Sequence, residues 1–200
     1  MSERMIAVVT AGLTTPSSSR LLADQLSAAV ADELSGRGIT ARIETIEVRD
    51  HAHELTDNLL TGFPPAALRE VLETVAAADA LIVVTPTFSA SYSGLFKMFF
   101  DVLDDQALAG KPVLLAATGG TERHSLVLEF ALRPLFAYLK ALPVPTGVYA
   151  ASTDWGVNAA TLRPRITQAA GELVAALHHE TPVTADPFEN PTPFEDLLNS

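Results

Sequence analysis

A chain of 200 residues, 48% of them hydrophobic, can bury one substantial core and has the length of a single domain. Its formal charge of −11 works against nucleic acid or an anionic membrane as partner, because both recruit clustered Lys and Arg. It contains no cysteine, which excludes disulfide scaffolds, thiolate metal sites and thiol nucleophiles. The first five residues, Met-Ser-Glu-Arg-Met, lack a basic n-region and a cleavage site, and no apolar stretch approaches the ~20 residues that span a bilayer. A soluble cytoplasmic protein is expected.

Residues 5–10 form a short β-branched run, and residues 81–85, 113–117 and 147–150 repeat the pattern. Continuous apolar runs of this length suit strands covered on both faces. Leu21, Leu22, Leu26, Ala29, Val30 and Leu34 recur near the helical period, and Gly36 and Gly38 end that pattern. Residues 41–48 read as a second, less regular strand. Residues 65–77 read as a helix with proline in its first turn. Further helices are expected over 92–103, 124–139 and 162–177, and Pro134 should kink the second of these or leave a carbonyl unpaired. The alternation of strand and helix predicts an α/β fold: a flavodoxin-like three-layer αβα sandwich over residues 1–180, with a five-stranded parallel sheet of order 2-1-3-4-5. Residues 181–200 carry Pro182, Pro187, Pro191 and Pro193 among acidic residues. They read as an extended tail, either disordered or docked through Phe188, Phe194 and its leucines.

In that strand order, the loops after strands one and three flank the switch point where open α/β sheets bind ligands, and the loop after strand four lies beside them. The first loop runs Ala11-Gly12-Leu13-Thr14-Thr15-Pro16-Ser17-Ser18-Ser19-Arg20 into a helix. One capping serine would be ordinary, whereas three hydroxyls beside the free N–H groups of a helix N-terminus can cage a phosphate. The loop matches neither Walker A nor Gly-x-Gly-x-x-Gly, so a terminal monophosphate fits better than a pyrophosphate. The second loop, Pro86-Thr87-Phe88-Ser89-Ala90-Ser91-Tyr92-Ser93-Gly94, offers amides, small hydroxyls and two aromatics that could flank a planar ring. The third, Ala117-Thr118-Gly119-Gly120-Thr121, allows close backbone approach. A polar-edged ring with a monophosphate tail describes FMN, with no extension for the adenosine of FAD.

The first loop's Ala11-Gly12 and serine cluster, the run from Pro86 through Gly94-Leu95-Phe96-Lys97, and Ala117-Thr118-Gly119-Gly120-Thr121-x-x-His124 with Ala131-Leu132-Arg133-Pro134 occur here in order. Over roughly residues 5–155 the chain thereby resembles the NAD(P)H-dependent FMN reductases. It is most similar to those that supply reduced FMN to monooxygenases of the bacterial-luciferase type. The family usually has Tyr where Phe88 stands, and its sulfonate-linked members often have Tyr where Phe130 stands. The resemblance implies hydride transfer from NAD(P)H to FMN, with the flavin held by Gly12, Ser17, Ser18, Ser19, Arg20, Pro86, Thr87, Phe88, Ser89, Thr118, Gly119, Gly120 and Thr121. Thr118 to Gly120 would aim amides at the pyrimidine end of the ring. Hydride passes directly between stacked rings, so no catalytic acid or base is assigned. The resemblance also implies a homodimer or dimer of dimers, joined through the apolar faces of residues 92–100 and 127–139.

Other features carry less. His51-Ala52-His53-Glu54 places its histidines at i and i+2, which share no helix face, and reads as a solvated loop rather than a metal site. His178-His179 suits a helix C-terminus. His124 lies at a helix start close to the Gly119-Gly120 turn and is not assigned as a proton donor. No Gly-x-Ser-x-Gly elbow is present. Two other functions share the fold: a quinone or azo-dye reductase with permanently bound FMN, and a flavodoxin-type electron carrier.

Overall fold

The computed structural model describes residues 2–155 and 159–177. Strands β1 (Glu3–Thr10), β2 (Thr40–Glu47), β3 (Ala80–Phe88) and β5 (Pro112–Gly119) form a parallel sheet in the order β2-β1-β3-β5. Their side chains alternate between two buried clusters. Ala7, Val9, Leu81, Val83, Val113 and Leu115 face one layer, while Ile6, Val8, Ile82, Val84, Leu114 and Ala116 face the other. Both faces are dry, so these strands are apolar throughout rather than alternating.

Helix α1 (Ser18–Gly36) buries Leu22, Leu26, Val30 and Leu34 against one face, alongside α6 (Ala159–Ala176). Helices α2 (Ala52–Thr61), α3 (Ala66–Ala77), α4 (Gly94–Asp101) and α5 (Arg133–Tyr138) cover the other face. Phe100 packs at 4.7 Å from Phe96 and 4.9 Å from Phe136, ring centre to ring centre. This is the flavodoxin-like αβα sandwich expected from the sequence.

The strand count differs from the expected five. Strands β3 and β5 run on through Phe88 and Gly119, so Pro86, Thr87, Phe88, Thr118 and Gly119 lie on strand ends rather than in loops. β4 (Ser91–Tyr92) folds back on β3 as a hairpin, pairing Thr87 with Tyr92, so the following helix starts at Gly94 instead of residue 92. The fifth position holds two pieces, β6 (Leu142–Pro143) and β7 (Val148–Ala151), both parallel to β5. Between them Thr146 leaves the ladder and donates from its amide and hydroxyl to Glu172 on α6, at 2.6 and 2.7 Å. Burial opposes ionisation of Glu172, but the hydrogen bonds from Thr146 and Gln168 outweigh it and lower its pKa.

Two further expectations are corrected. Residues 51–54 are helical rather than a solvated loop, with His51 closing a single turn (Val48–His51) and Glu54 in the first turn of α2, 2.7 Å from His51 Nδ1. Leu55 and Asn58 are buried one turn apart and Gly62, at φ 78°, ends the helix, which is the signal that identifies it. The helix expected over 124–139 begins as a short turn (Glu122–His124), continues as a π turn (Leu128–Leu132) and becomes α5 at Arg133. Arg133 N bonds Leu128 O, five residues back, and this widening places Pro134, which lacks an N–H, in the first turn of α5. The Pro-rich tail of residues 181–200 and His178-His179 lie outside the described residues.

At the opposite edge of the sheet from the three loops, Lys111 Nζ donates to Val75 O and Ala76 O at the end of α3, at 3.0 and 2.7 Å. Burial pushes its pKa down to about 8, against the pull of Asp79. The unfolded chain keeps the ordinary value of about 10.4. Between these values it binds more protons than the folded chain, so stability rises with pH across this window. Wild type is therefore expected to gain on Lys111→Met in urea denaturation between pH 8 and pH 10; a constant difference would refute this reading.

Candidate functional site

The three segments singled out by sequence meet at the C-terminal edge of the sheet. Gly12 opens the first loop after Ala11, whose amide donates to Val84 O at 3.0 Å. A Cβ on Gly12 would lie 1.9 Å from Ser17 Oγ, so the close return of the chain requires glycine here. Ser17 caps α1, its hydroxyl accepting from Arg20 N at 3.2 Å. Ser18 is exposed, whereas Ser19 is 2% exposed and shares a 2.8 Å hydrogen bond with Thr118 Oγ1. That bond joins the first loop to the end of β5 across 99 residues of sequence.

Arg20 is placed differently from the serines. Its guanidinium turns to two carboxylates, Asp24 Oδ1 at 2.8 Å and Glu47 Oε1 at 2.7 Å. The hydrogen bond to Asp24 is the main cause of a pKa raised above the ordinary arginine value. In this conformation the side chain of Arg20 does not reach into the serine loop.

The second segment is a tight hairpin. Ser89 and Ala90 take φ of 49° and 66°, a pair of positive values that two-residue hairpins demand and that Asn-Gly usually supplies. Non-glycine residues there are strained, and strain of this kind collects at functional edges. Phe88, beside the turn, is 47% exposed, so it is not part of the core. Ser93 caps α4 by accepting from Phe96 N at 3.1 Å, and Thr85 Oγ1 accepts from Ser93 N at 3.0 Å.

In the third segment, Gly119 is needed for proximity rather than for a turn. A Cβ there would lie 2.0 Å from Tyr149 Oη, which donates to Thr121 O at 2.8 Å. Burial pushes the Tyr149 phenol up, so it remains a neutral donor. Gly120 faces open space. His124 and Thr121 are exposed.

The donors fit a flavin nucleotide. Ser17 takes up the Arg20 amide, while the amides of Ser18 and Ser19 have no partner among the described residues. Thr10 Oγ1, at the end of β1, is buried without a hydrogen-bond partner among them. Free first-turn amides are ordinary at a helix N-terminus, whereas an unpaired buried hydroxyl such as that of Thr10 calls for a ligand or water. Residues 86–91 and 118–121 carry no charged side chain, which suits the neutral edge of an isoalloxazine. Among the described residues no group of His, Asp or Glu could hold a metal ion, and no helix is long and apolar enough to cross a membrane. A groove of about 700 Å³ between α1 and α6, lined by Leu21, Trp155, Leu162 and Ile166 among others, lies on the flank of the sheet and not between the three loops.

A flavodoxin-like sheet with a serine loop and two neutral strand ends at its switch point fits a flavin-dependent oxidoreductase. The chain belongs to the NADPH-dependent FMN reductase family, whose model matches residues 5–156. It is 43% identical over 150 residues, 75% of this chain and 78% of the other, to an FMN reductase (NADPH) of Pseudomonas aeruginosa. It is 38% identical to the NADH-dependent FMN reductase SfnE of Pseudomonas putida, over 87% of this chain and 94% of that one. The solved structure of an oxidoreductase from Corynebacterium diphtheriae superposes with a TM-score of 0.87 at 47% identity, covering 90% of this chain and 100% of that one. The protein is an NAD(P)H:FMN oxidoreductase.

Tyr149 and Arg49 escaped the sequence reading. Tyr149 sits in an apolar strand run and signals nothing by type. Arg49 follows β2, far in sequence from the loop it contacts, and only a β2–β1 neighbour relation could have pointed to it.

Proposed function

We propose that this chain uses FMN as a dissociable substrate, reducing it with NAD(P)H in the cytoplasm and releasing it to a partner monooxygenase. Bound FMN supplies the hydride-accepting ring. The chain's own part is to seat it: Gly12 and Ser17 to Ser19 at the phosphate, Pro86 to Ser89 along one side of the ring, and Thr118 to Thr121 at its pyrimidine end, with Arg20 bracing α1 behind the loop. The observation that carries the reading is the neutrality of residues 86–91 and 118–121. Amides and small hydroxyls bind the oxidised ring, but they hold the extra negative charge of reduced FMN far less well than a cation would. Resemblance to reductases that feed luciferase-like monooxygenases supplies the acceptor.

The purified protein is accordingly expected to be colourless or partly occupied, to need added FMN for NAD(P)H oxidation, and to lose reduced flavin through a dialysis membrane. Stoichiometric FMN that resists dialysis, with rapid quinone reduction in the absence of free flavin, would favour a quinone reductase instead.

A homodimer belongs to the same reading, with the contact drawn from 127–139, the second of the two expected segments, rather than from the α4 aromatics. Phe96, Phe99 and Phe100 of α4 are buried in the core and cannot meet a partner. Phe130 and Tyr138, 78% and 83% exposed, stand out from the π turn and α5, with Leu126 and Leu142 nearby in sequence and also exposed. Apolar side chains grouped in this way mark an interaction surface. Sedimentation at micromolar concentration should give a dimer or larger, reduced by Phe130→Asp; a wild-type monomer would remove the claim.

A further inference from the structure

Glu47, the last residue of β2, divides its carboxylate between two arginines. Oε1 receives Arg20 Nη1 from the first turn of α1 at 2.7 Å, and Oε2 lies 3.1 Å from Nε of Arg49. Arg49 belongs to the single turn that follows β2, and its side chain is only 28% exposed. From there its Nη1 donates to Thr15 Oγ1. Residues 13–16 are all exposed, and their other side-chain hydrogen bond, from Thr14 Oγ1 to Pro16 O, is internal to the loop. Among the described residues, Arg49 thus makes the one hydrogen bond that ties this stretch to another part of the fold.

We propose that Arg49 is a positioning residue for the FMN 5′-phosphate, holding residues 13–16 through Thr15 so that the cage at Ser17 to Ser19 is already formed when the ligand arrives. The assignment rests on the reading of that cage as the phosphate site. A loop that must be ordered on binding loses part of its interaction energy to conformational entropy, and a loop ordered beforehand does not. Glu47 assists by charge: its Oε2 lies 3.1 Å from Arg49 Nε, which makes no hydrogen bond among the described residues, so the pairing holds the guanidinium near Thr15 electrostatically. The loop contains no Lys or Arg between Gly12 and Ser19, so its anchor has to come from elsewhere in the chain. The neighbour relation of β1 and β2, with Thr10 opposite Glu47, brings it there.

Titration of the flavin-free protein with FMN and with riboflavin, followed by flavin fluorescence, tests this in wild type, Arg49→Met, Thr15→Val and the double variant. Each single variant is expected to bind FMN roughly tenfold more weakly and riboflavin unchanged, as loss of one hydrogen bond's ordering effect implies. The double variant should be no worse than Arg49→Met, because both changes cut the same link. Thr15 is on the surface, so Thr15→Val keeps the test available should Arg49→Met fail to fold. Unchanged FMN affinity in either variant, or equal loss of FMN and riboflavin, overturns the proposal while the phosphate site stands. Wild-type protein that binds riboflavin as tightly as FMN overturns the phosphate reading and this assignment with it.

Discussion

Replacing Ser17 and Ser19 together with alanine is expected to weaken FMN by roughly a hundredfold or more while leaving riboflavin nearly unaffected. Each hydroxyl lost from a phosphate dianion removes a charge-assisted hydrogen bond worth about 1.5–3 kcal/mol, and every 1.4 kcal/mol is about tenfold in affinity. The two serines contribute differently. Ser17 Oγ already accepts from Arg20 N, which leaves its own proton for a ligand, and its loss also uncaps α1. That uncapping costs about 0.5–2 kcal/mol of stability. Ser19 is tied to Thr118, so Ser19→Ala leaves a buried hydroxyl unpaired at the end of β5 as well. Stability should therefore fall in both single variants, and comparison with riboflavin separates this from the phosphate contact. Equal loss of both ligands would show that the loop does not hold the phosphate.

Gly119→Ala is expected to cost about 1–3 kcal/mol of stability, as overpacking a filled site does, and to weaken flavin binding with it. The new methyl would meet Tyr149 Oη at 2.0 Å, and Tyr149 is 3% exposed with its ring enclosed. Moving it breaks the hydrogen bond to Thr121 O, which holds the turn after β5 in place. Gly120→Ala meets nothing within 4 Å and should be neutral for stability. The discriminating variant is Gly119→Ala combined with Tyr149→Phe, where the clashing oxygen is gone. Denaturation should show the pair to be more stable than Gly119→Ala alone. If it is equally or less stable, the requirement for glycine at 119 has another cause.

Much of the architecture was legible because burial on both faces leaves a one-dimensional trace. The runs at 5–10, 81–85 and 113–117 are apolar without alternation, and only a sheet covered by two helical layers needs that. The rhythm of strands and helices then limited the topology to a right-handed doubly wound sheet. Glycine and serine clusters after those runs pointed to the candidate site, since small residues there leave amides free. The helix at 52–61 leaves little trace in the sequence because its apolar residues are few and the His51 and His53 spacing matches no helix face. The β3–β4 hairpin was hidden by Ser89-Ala90, which lack the glycine or asparagine that announces such a turn.

By itself the sequence determined the fold class and the family, because each depends on local residue type and order. The tertiary structure decided which groups at the candidate site are free and which are already engaged. It turned Arg20 away to Asp24 and Glu47, tied Ser19 to Thr118, and enclosed the α4 aromatics in the core. It also brought Arg49 to Thr15 and Tyr149 over Gly119. These are contacts between residues 27 to 99 positions apart in the salt bridge of Arg20 with Glu47 and the hydrogen bond of Ser19 with Thr118. A hydrogen bond forms only when donor and acceptor come within about 3 Å. Spacing along the chain carries no information about that distance until the strands have taken their order.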